Sequence, residues 1–568
     1  MKDENEQVQT DDAIQAKILN NQFSSALTRE DLSCIPVPEQ VFDPALGPPL
    51  TSVEITPEKV EEKIKILKPG ACGPDKIGPR LLRELSEQLS LPISLIFKKS
   101  LAESTVPTDW KLSNVTSIFK KGDKTVAGNY RPISLTCLIC RILESILRDQ
   151  MLLHLQEYKL IRKSQHGFLP HLSCLTNLLE FLEEITRLID EGHSVDVMFL
   201  DFSKAFDKVP HVRLMSKVRA HGILGKVADW IEEWLKDRKQ RVVLNGKESD
   251  WAEVLSGVPQ GSVLGPILFL IYINDIDGAI DCATTFMKKF ADDTKLAAVT
   301  DTEDECEKLQ EEINNLIKWT DMWQMSFNID KCVVMHLGHH NLQHTYYMDG
   351  SEMKITDCEK DIGVYMHSSL KPSFHIAEAV KKANRALGIL LRCLTFRDKF
   401  HYIRLYKTYV RCHLEYAVQA WNPWLKEDIE NLEAVQKRAI RYCHGLVGTD
   451  YEDKLKEVGL TTLVDRRLRG DMLQTFKILN KIDDVDYHTW FSKVEEQHQK
   501  TRQAVSISSD GDVVATDNLA KPKCRLDIRK NFFSCRVIDP WNDLPEDVKR
   551  SENVVAFKTN YDVHMAGS

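Results

Sequence analysis

Two adjacent aspartates, Asp292 and Asp293, lie in residues 287–296 (MKKFADDTKL), a stretch that reads as two short strands joined by a tight turn. Neighbouring strand residues point to opposite faces, so only a turn brings both carboxylates toward one place. Phe290, Ala291 and Leu296 give that turn apolar anchors. Two carboxylates held together in a low dielectric repel one another and raise each other's pKa. A divalent cation relieves the repulsion, and hard oxygen donors suit Mg²⁺. Two such ions roughly 4 Å apart serve nucleotidyl transfer, one activating a hydroxyl and one neutralising leaving pyrophosphate. An Asp-Asp pair alone is usually a solvated turn, so the chemistry needs a further carboxylate. Asp201 supplies one at the end of residues 194–201 (SVDVMFLD), whose apolar, β-branched character predicts a buried strand. An aromatic, Phe206, follows five residues later. Residues 256–266 (SGVPQGSVLGP) form a Gly/Pro-rich turn opening an apolar helix, which predicts close backbone approach to a flat ligand.

These residues need a scaffold, and the chain between them supplies one. Helices are expected near 211–221, 226–238 and 264–274, with a β-hairpin at Asn245-Gly246. A charged helix over 303–325 and a strand over 331–337 follow. The alternation predicts an α+β layer, a sheet with helices packed on one face. Upstream, residues 1–60 read as an acidic arm and linker with one helix around 13–27. Thr56 and Pro57 then open a helix as N-cap and first residue, and a second helix covers 79–103. Residues 371–444 are almost wholly helical. The stripe Leu387, Leu390, Leu391 and Leu394 is helical core. The rest mixes helices with a polar connection near 506–520, expected to be flexible.

The 568 residues are too many for one core and suggest two to four subdomains. The longest apolar runs fall short of a membrane span, and the polar, acidic N-terminus lacks signal-peptide character. Fourteen cysteines without a framework indicate reduced thiols. An intracellular location is expected, with nucleus and cytoplasm left open. His336, His339, His340 and His344 are expected to be solvated loop histidines. The net charge of −9 argues against a nucleic-acid binder, but its distribution does not. Residues 1–62 hold thirteen acidic and four basic side chains, which account for the whole excess. Residues 380–411 hold nine basic side chains against Asp398 alone, the pattern a phosphate backbone attracts.

FLDFSKAFDKV, GVPQGSVLGPILFLIYIND and FADD, in that order, resemble the palm motifs of reverse transcriptases in the wording of non-LTR (LINE-type) retrotransposons. FKKGD at 119–123, NYRPISL at 129–135 and SQHGF at 164–168 resemble the finger motifs. Gly73-Pro74-Asp75 resembles the extra N-terminal motif of the non-LTR enzymes, and Ile362-Gly363-Val364 one that closes the palm. The resemblance implies a right-hand polymerase with fingers, a palm with an antiparallel sheet, a helical thumb and a mostly helical C-terminal region. The expected boundaries are 1–60 for the arm, 61–370 for fingers and palm, 371–445 for a basic thumb, and 446–568 for the C-terminal region. It implies an RNA-directed DNA polymerase with two Mg²⁺ ions, Mn²⁺ being an alternative. Asp201, Asp292, Asp293 and the carbonyl of Phe202 would be the metal ligands, and Lys331 would protonate pyrophosphate. Lys120, Lys121 and Arg131 would hold the triphosphate, with Gln260 and Gly261 lining the nucleotide pocket. Phe206 would be the steric gate against ribonucleotides. Lys381, Lys382, Arg385 and Arg392 would grip the duplex.

RNA template, DNA primer and dNTPs are the implied partners. Such elements also need an endonuclease. About 60 residues precede the fingers and the tail lacks a Cys/His knuckle, so that activity is expected from a missing domain or another chain. Two other readings compete. One is a catalytically silent or co-opted nucleic-acid-binding remnant, which the full set of acidic and basic site residues disfavours. The other is a telomerase or maturase polymerase, for which the acidic arm is a poor RNA-binding domain.

Overall fold

The computed structural model describes residues 1–3, 6–494 and 517–567. Most of the connection expected near 506–520 therefore lies outside the described residues. The molecule is a mixed α+β protein organised around two sheets. In the first, β1 (Leu112–Phe119) pairs antiparallel with β2 (Tyr130–Thr136) and parallel with β4 (Lys239–Leu244). Two short strands, β5 (Lys247–Glu248) and β6 (Ala252–Glu253), complete it. Asn245 and Gly246 both have positive φ between β4 and β5, the two-residue turn that the Asn-Gly pair predicts.

The second sheet carries β3 (Val195–Leu200), β7 (Thr285–Phe290), β8 (Asp293–Val299), β9 (Val333–Leu337) and β12 (Lys354–Ile355). Its order is β12-β9-β3-β8-β7, antiparallel except for the parallel edge pair β9–β12. Two hairpins stand outside it, β10–β11 (Tyr347–Met348 and Ser351–Glu352) and β13–β14 (Cys358–Asp361 and Val364–His367).

Helices cover both faces of the second sheet, not one. Met198 and Leu200 of β3 enter the core containing the helices Leu138–Glu157 and Gly265–Ile273. Val195, Val197 and Phe199 enter another with Phe181, Ile185 and Leu188 of the helix Cys174–Glu191. All six residues of β3 are buried, which is why its apolar run does not alternate. That helix is fixed at its start by a Ser173–Thr176 capping box and at its end by Gly192 in the left-handed region.

Thr56 caps the helix Pro57–Lys65 as its sequence predicts. The N-terminal segment is no free arm: Glu30 forms a buried ion pair with Arg213, and Leu19 and Phe23 share a core with Val115 and Val242. The helix Ser373–Cys393 begins a helical region whose core holds Leu387, with Leu390, Leu391 and Leu394 packed against it. A further core around Trp541, Phe476 and Phe557 organises the C-terminal helices.

The histidines correct a sequence expectation. His336 lies on β9, not in a loop, and its Nδ1 sits 2.7 Å from buried Asp196. His344 pairs with Glu303, while His339 and His340 are exposed. Asp196 is 140 residues away in sequence, so the strand register made this pair.

Candidate active site

The β7–β8 hairpin builds the acidic corner. Phe290 faces Asp293, leaving Ala291 and Asp292 as the two-residue turn. Ala291 takes φ +58°, a conformation costly for a residue with a side chain. Gln165 holds it there: its Oε1 accepts from the amides of Ala291 at 2.9 Å and Gly167 at 2.7 Å. The flanking backbone adds His166 N to Lys289 O and Lys289 N to Ser164 O.

Asp201 follows β3 directly. The ladder ends with Leu200 facing Thr294, the residue after Asp293, and Asp201 acts electrostatically on both Asp292 and Asp293. The Asp201 carbonyl accepts from Asn328 N at 2.7 Å, and its carboxylate accepts from Lys331 Nζ at 2.6 Å. Lys331 sits in a short 3-10 turn, Ile329–Lys331, just before β9. Phe202 is buried, and its ring stacks on Phe327 with centroids 4.5 Å apart.

The electrostatics of this corner are those of negative groups short of countercharge. Burial raises the Asp292 carboxyl and Asp201 pushes it further, while Arg131 and Lys120 pull it back. Asp293 is raised to about 6 by burial, Asp292, Asp361 and Asp201, opposed by Lys295. Its side chain reaches solvent, yet protein surrounds it on most sides. Lys120 is held below its ordinary value by burial and by Arg131 and Lys331, against the pull of Asp201. Lys120 and Arg131 come from the loop end of the β1–β2 hairpin, where Ile118 faces Arg131 and Lys120 N bonds Asn129 O. Lys121 is exposed beside them. Among the described residues no three Asp, Glu, His or Cys side chains form a ready metal cage. The register makes the acids neighbours, while Lys331 supplies the positive charge at Asp201.

The Gly-rich loop is pinned between this corner and the first sheet. Ser134 N donates to Gln260 O at 2.7 Å, and Gln260 Nε2 to Asp207 Oδ1 at 3.1 Å. A Cβ on Gly261 would lie 2.6 Å from Ser134 O, and one on Gly257 2.7 Å from Phe206 O. Both glycines have positive φ. Close backbone approach is thus required as predicted, but the surface approached is the chain's own backbone. Burial raises Asp207 to about 6, moderated by the Gln260 bond and by Lys204. The Phe206 ring stacks on Phe269 (4.4 Å, 19°) and meets Phe168 edge-on at 6.3 Å.

A model of the family described as reverse transcriptase (RNA-dependent DNA polymerase) matches residues 118–388. Those residues, just under half of the chain, are similar to a reverse transcriptase domain. Similar curated proteins include the probable RNA-directed DNA polymerase from transposon BS of Drosophila melanogaster, 24% identical over 75% of this chain and 49% of that protein. The RNA-directed DNA polymerase from mobile element jockey of Drosophila funebris is 26% identical over 69% of this chain and 44% of its own length. The probable RNA-directed DNA polymerase from transposon X-element of Drosophila melanogaster is 24% identical over 66% and 42%. The chain spans about half the length of the curated relatives it matches, and its non-LTR resemblance holds.

The basic block spans the end of the matched region. It is less uniform than its composition suggests. Arg397 donates to the carbonyls of Leu394, Leu391 and Tyr442, Arg411 pairs with Glu415, and Lys399 pairs with Glu457. Lys381 pairs with Glu378, and Lys382 lies 5.5 Å over the Tyr365 ring. Arg385, Arg392 and Arg404 are exposed and make no ion pair among the described residues.

Sequence reasoning assigned no role to Gln165, Asp207 or Asp361. Asp361 ends β13 beside the Ile362-Gly363 turn and forms a buried ion pair with Lys295. Gln165 and Asp207 fall inside the motifs SQHGF and FSKAFDKV, so motif membership was their only signal.

Proposed function

We propose that the chain is an RNA-directed DNA polymerase of a non-LTR retrotransposon, extending a DNA primer on an RNA template with dNTPs. The observation that carries this reading is the strand register. It ends β3 at the Asp292–Asp293 hairpin, so Asp201 adds to the raised Asp292 carboxyl while Lys120 and Arg131 partly offset that rise. In this reading the second sheet is the palm, the first sheet and its helices are fingers within 61–370, and 371–445 is the thumb. Residues 1–60 are a packed N-terminal segment and linker rather than a free arm, and 446–568 the C-terminal region.

The donor set suits hard divalent cations. Asp201, Asp292, Asp293 and the Phe202 carbonyl offer only oxygen, and the raised Asp292 and Asp293 carboxyls mark an excess of negative charge that a cation would relieve. Two Mg²⁺ ions, with Mn²⁺ as an alternative, would activate the primer 3′-hydroxyl and neutralise the pyrophosphate. Arg131 offers a planar fork to phosphate oxygens, with Lys120 and Lys121 as point charges beside it. Lys331, bonded to Asp201 at 2.6 Å, would give a proton to the departing pyrophosphate. Gln260 and Gly261 line the nucleotide pocket, and Phe206, braced by Phe269, blocks a 2′-hydroxyl. Endonuclease activity belongs to a domain outside this chain or to another chain. Among the described residues no helix is long and apolar enough to cross a membrane, and we place the protein inside the cell.

The test is primer extension on an RNA template with Mg²⁺, comparing the chain with Asp292→Ala. Extension by the unaltered chain that is lost in Asp292→Ala supports the assignment. Template–primer binding without extension would make the chain a silent nucleic-acid-binding remnant.

A further inference from the structure

Cys524 and Cys535 bring their sulfurs to 3.4 Å, the one hydrogen bond between two cysteine thiols among the described residues. A disulfide needs about 2.05 Å between sulfurs. Cys524 is half-buried on a non-helical stretch just before the short helix Asp527–Lys530, so a rotation of its side chain closes the gap. Cys535 is 5% exposed in the helix Phe533–Arg536. Burial pushes its thiol up to about 12, against the pull of the Arg529 guanidinium. Cys524 is thus the sulfur that solvent reaches, and Cys535 the one held behind it. A set of contacts to the helix Cys174–Glu191 lies between these two cysteines. The amides of Arg525 and Leu526 donate to Asp190 Oδ1 at 2.8 and 2.6 Å, and Arg525 Nη1 donates to Glu191 O at 3.2 Å. Arg529 forms a buried ion pair with Glu183, whose other oxygen accepts from Ser534 Oγ at 2.6 Å.

We propose that Cys524 and Cys535 are a disulfide site, oxidised by a small-molecule disulfide, whose bond closes residues 525–534 into a ring clasped on that helix. The Cys524 thiolate attacks one sulfur of the reagent and expels one small thiolate, which leaves a mixed disulfide on Cys524. Cys535 then attacks the Cys524 sulfur. The bond between the two protein sulfurs forms, the mixed bond breaks, and the second small thiolate departs. Both small thiolates end as thiols, carrying the protons that Cys524 and Cys535 lose. Two protein thiols are oxidised and one reagent disulfide is reduced. The Arg529 guanidinium favours negative charge on Cys535 during the second attack. In a reducing compartment the pair stays as two thiols, and it closes when the surrounding thiol pool turns oxidising. The inference is independent of the polymerase reading, and its test reads no activity.

The full chain is equilibrated in glutathione buffers running from reduced to oxidised, then alkylated and digested without reduction. The peptides holding Cys524 and Cys535 become joined, two hydrogens lighter than their sum, and the join reverses in reduced glutathione. Cys535→Ala leaves glutathione attached to Cys524, and Cys524→Ser leaves Cys535 a free thiol. On joining, hydrogen exchange of residues 525–534 slows on the order of 100-fold, the loop-closure effect of a ring this short. Should Cys535→Ala fail to fold, Cys524→Ser and the peptide map of the unaltered chain decide the matter. Two free thiols in fully oxidised glutathione, joining of either cysteine to a different one, or unchanged exchange after joining would each overturn the proposal.

Discussion

Removing the side chain of Gln165 tests whether the acidic turn is held in place or stands by itself. In Gln165→Ala the amides of Ala291 and Gly167, both bonded to Gln165 Oε1 in a buried setting, lose their acceptor. Each orphaned buried donor costs about 1–3 kcal/mol. Ala291 at φ +58° carries about 1 kcal/mol of strain in both proteins, which adds nothing to the difference but favours relaxation of the turn once the clamp is gone. Allowing for relaxation of the turn, local stability of the hairpin should fall by about 3 kcal/mol. A chain with several cores does not unfold in one step, so the readout is hydrogen exchange of residues 286–296. Their local opening should become about 100-fold more frequent, at about 1.4 kcal/mol per factor of ten. Primer extension should slow at least tenfold, because Asp292 and Asp293 lose their relation to Asp201. Ala291→Gly in the same chain should recover part of both losses, since glycine adopts this φ without strain. Unchanged exchange and extension in Gln165→Ala would refute the clamp. Failure of Ala291→Gly to help would place the effect in packing, not in the turn.

Extension at limiting divalent cation should weaken as pH drops through about 6, because the raised Asp293 carboxyl takes up a proton there instead of near the ordinary value of 3.8, Asp292 is raised as well, and protons then compete with the cation for both. A raised carboxyl stabilises the metal-free fold below the ordinary value, and that contribution is lost as pH rises toward about 6; Asp293→Asn should flatten this part of a stability profile measured without divalent cation. Phe206→Ala should admit ribonucleotides in single-nucleotide incorporation, and unchanged discrimination would make Phe206 a core residue only. Replacing Lys381, Lys382 and Arg385 with alanine should weaken template–primer binding evenly across sequences. It should also flatten the slope of log K against log salt by up to about 0.9 for each phosphate that is no longer neutralised. Arg385 should contribute the most, since Lys381 is paired with Glu378 and Lys382 lies over Tyr365.

What the sequence determined by itself was everything with a local cause. The buried run ending at Asp201, the strand–turn–strand around Asp292 and Asp293, the Asn245-Gly246 hairpin and the Thr56 cap each depend on residues a few positions apart. The order of motifs carried the family because each was written on one such element. The sheet's second helical layer was also legible in principle, since the unbroken apolar run of β3 demands burial on both faces. Tertiary structure alone decided the partnerships. Lys331 meets Asp201 across 130 residues, Gln165 meets Ala291 across 126, and His336 meets Asp196 across 140. No periodicity records such pairs, because their cause is which strands lie side by side and in what register. The basic block divides for the same reason. Composition counts its charges, but only the packed helices determine that Arg397 and Arg411 bind the chain's own oxygens while Arg385 and Arg392 stay free of ion pairs among the described residues.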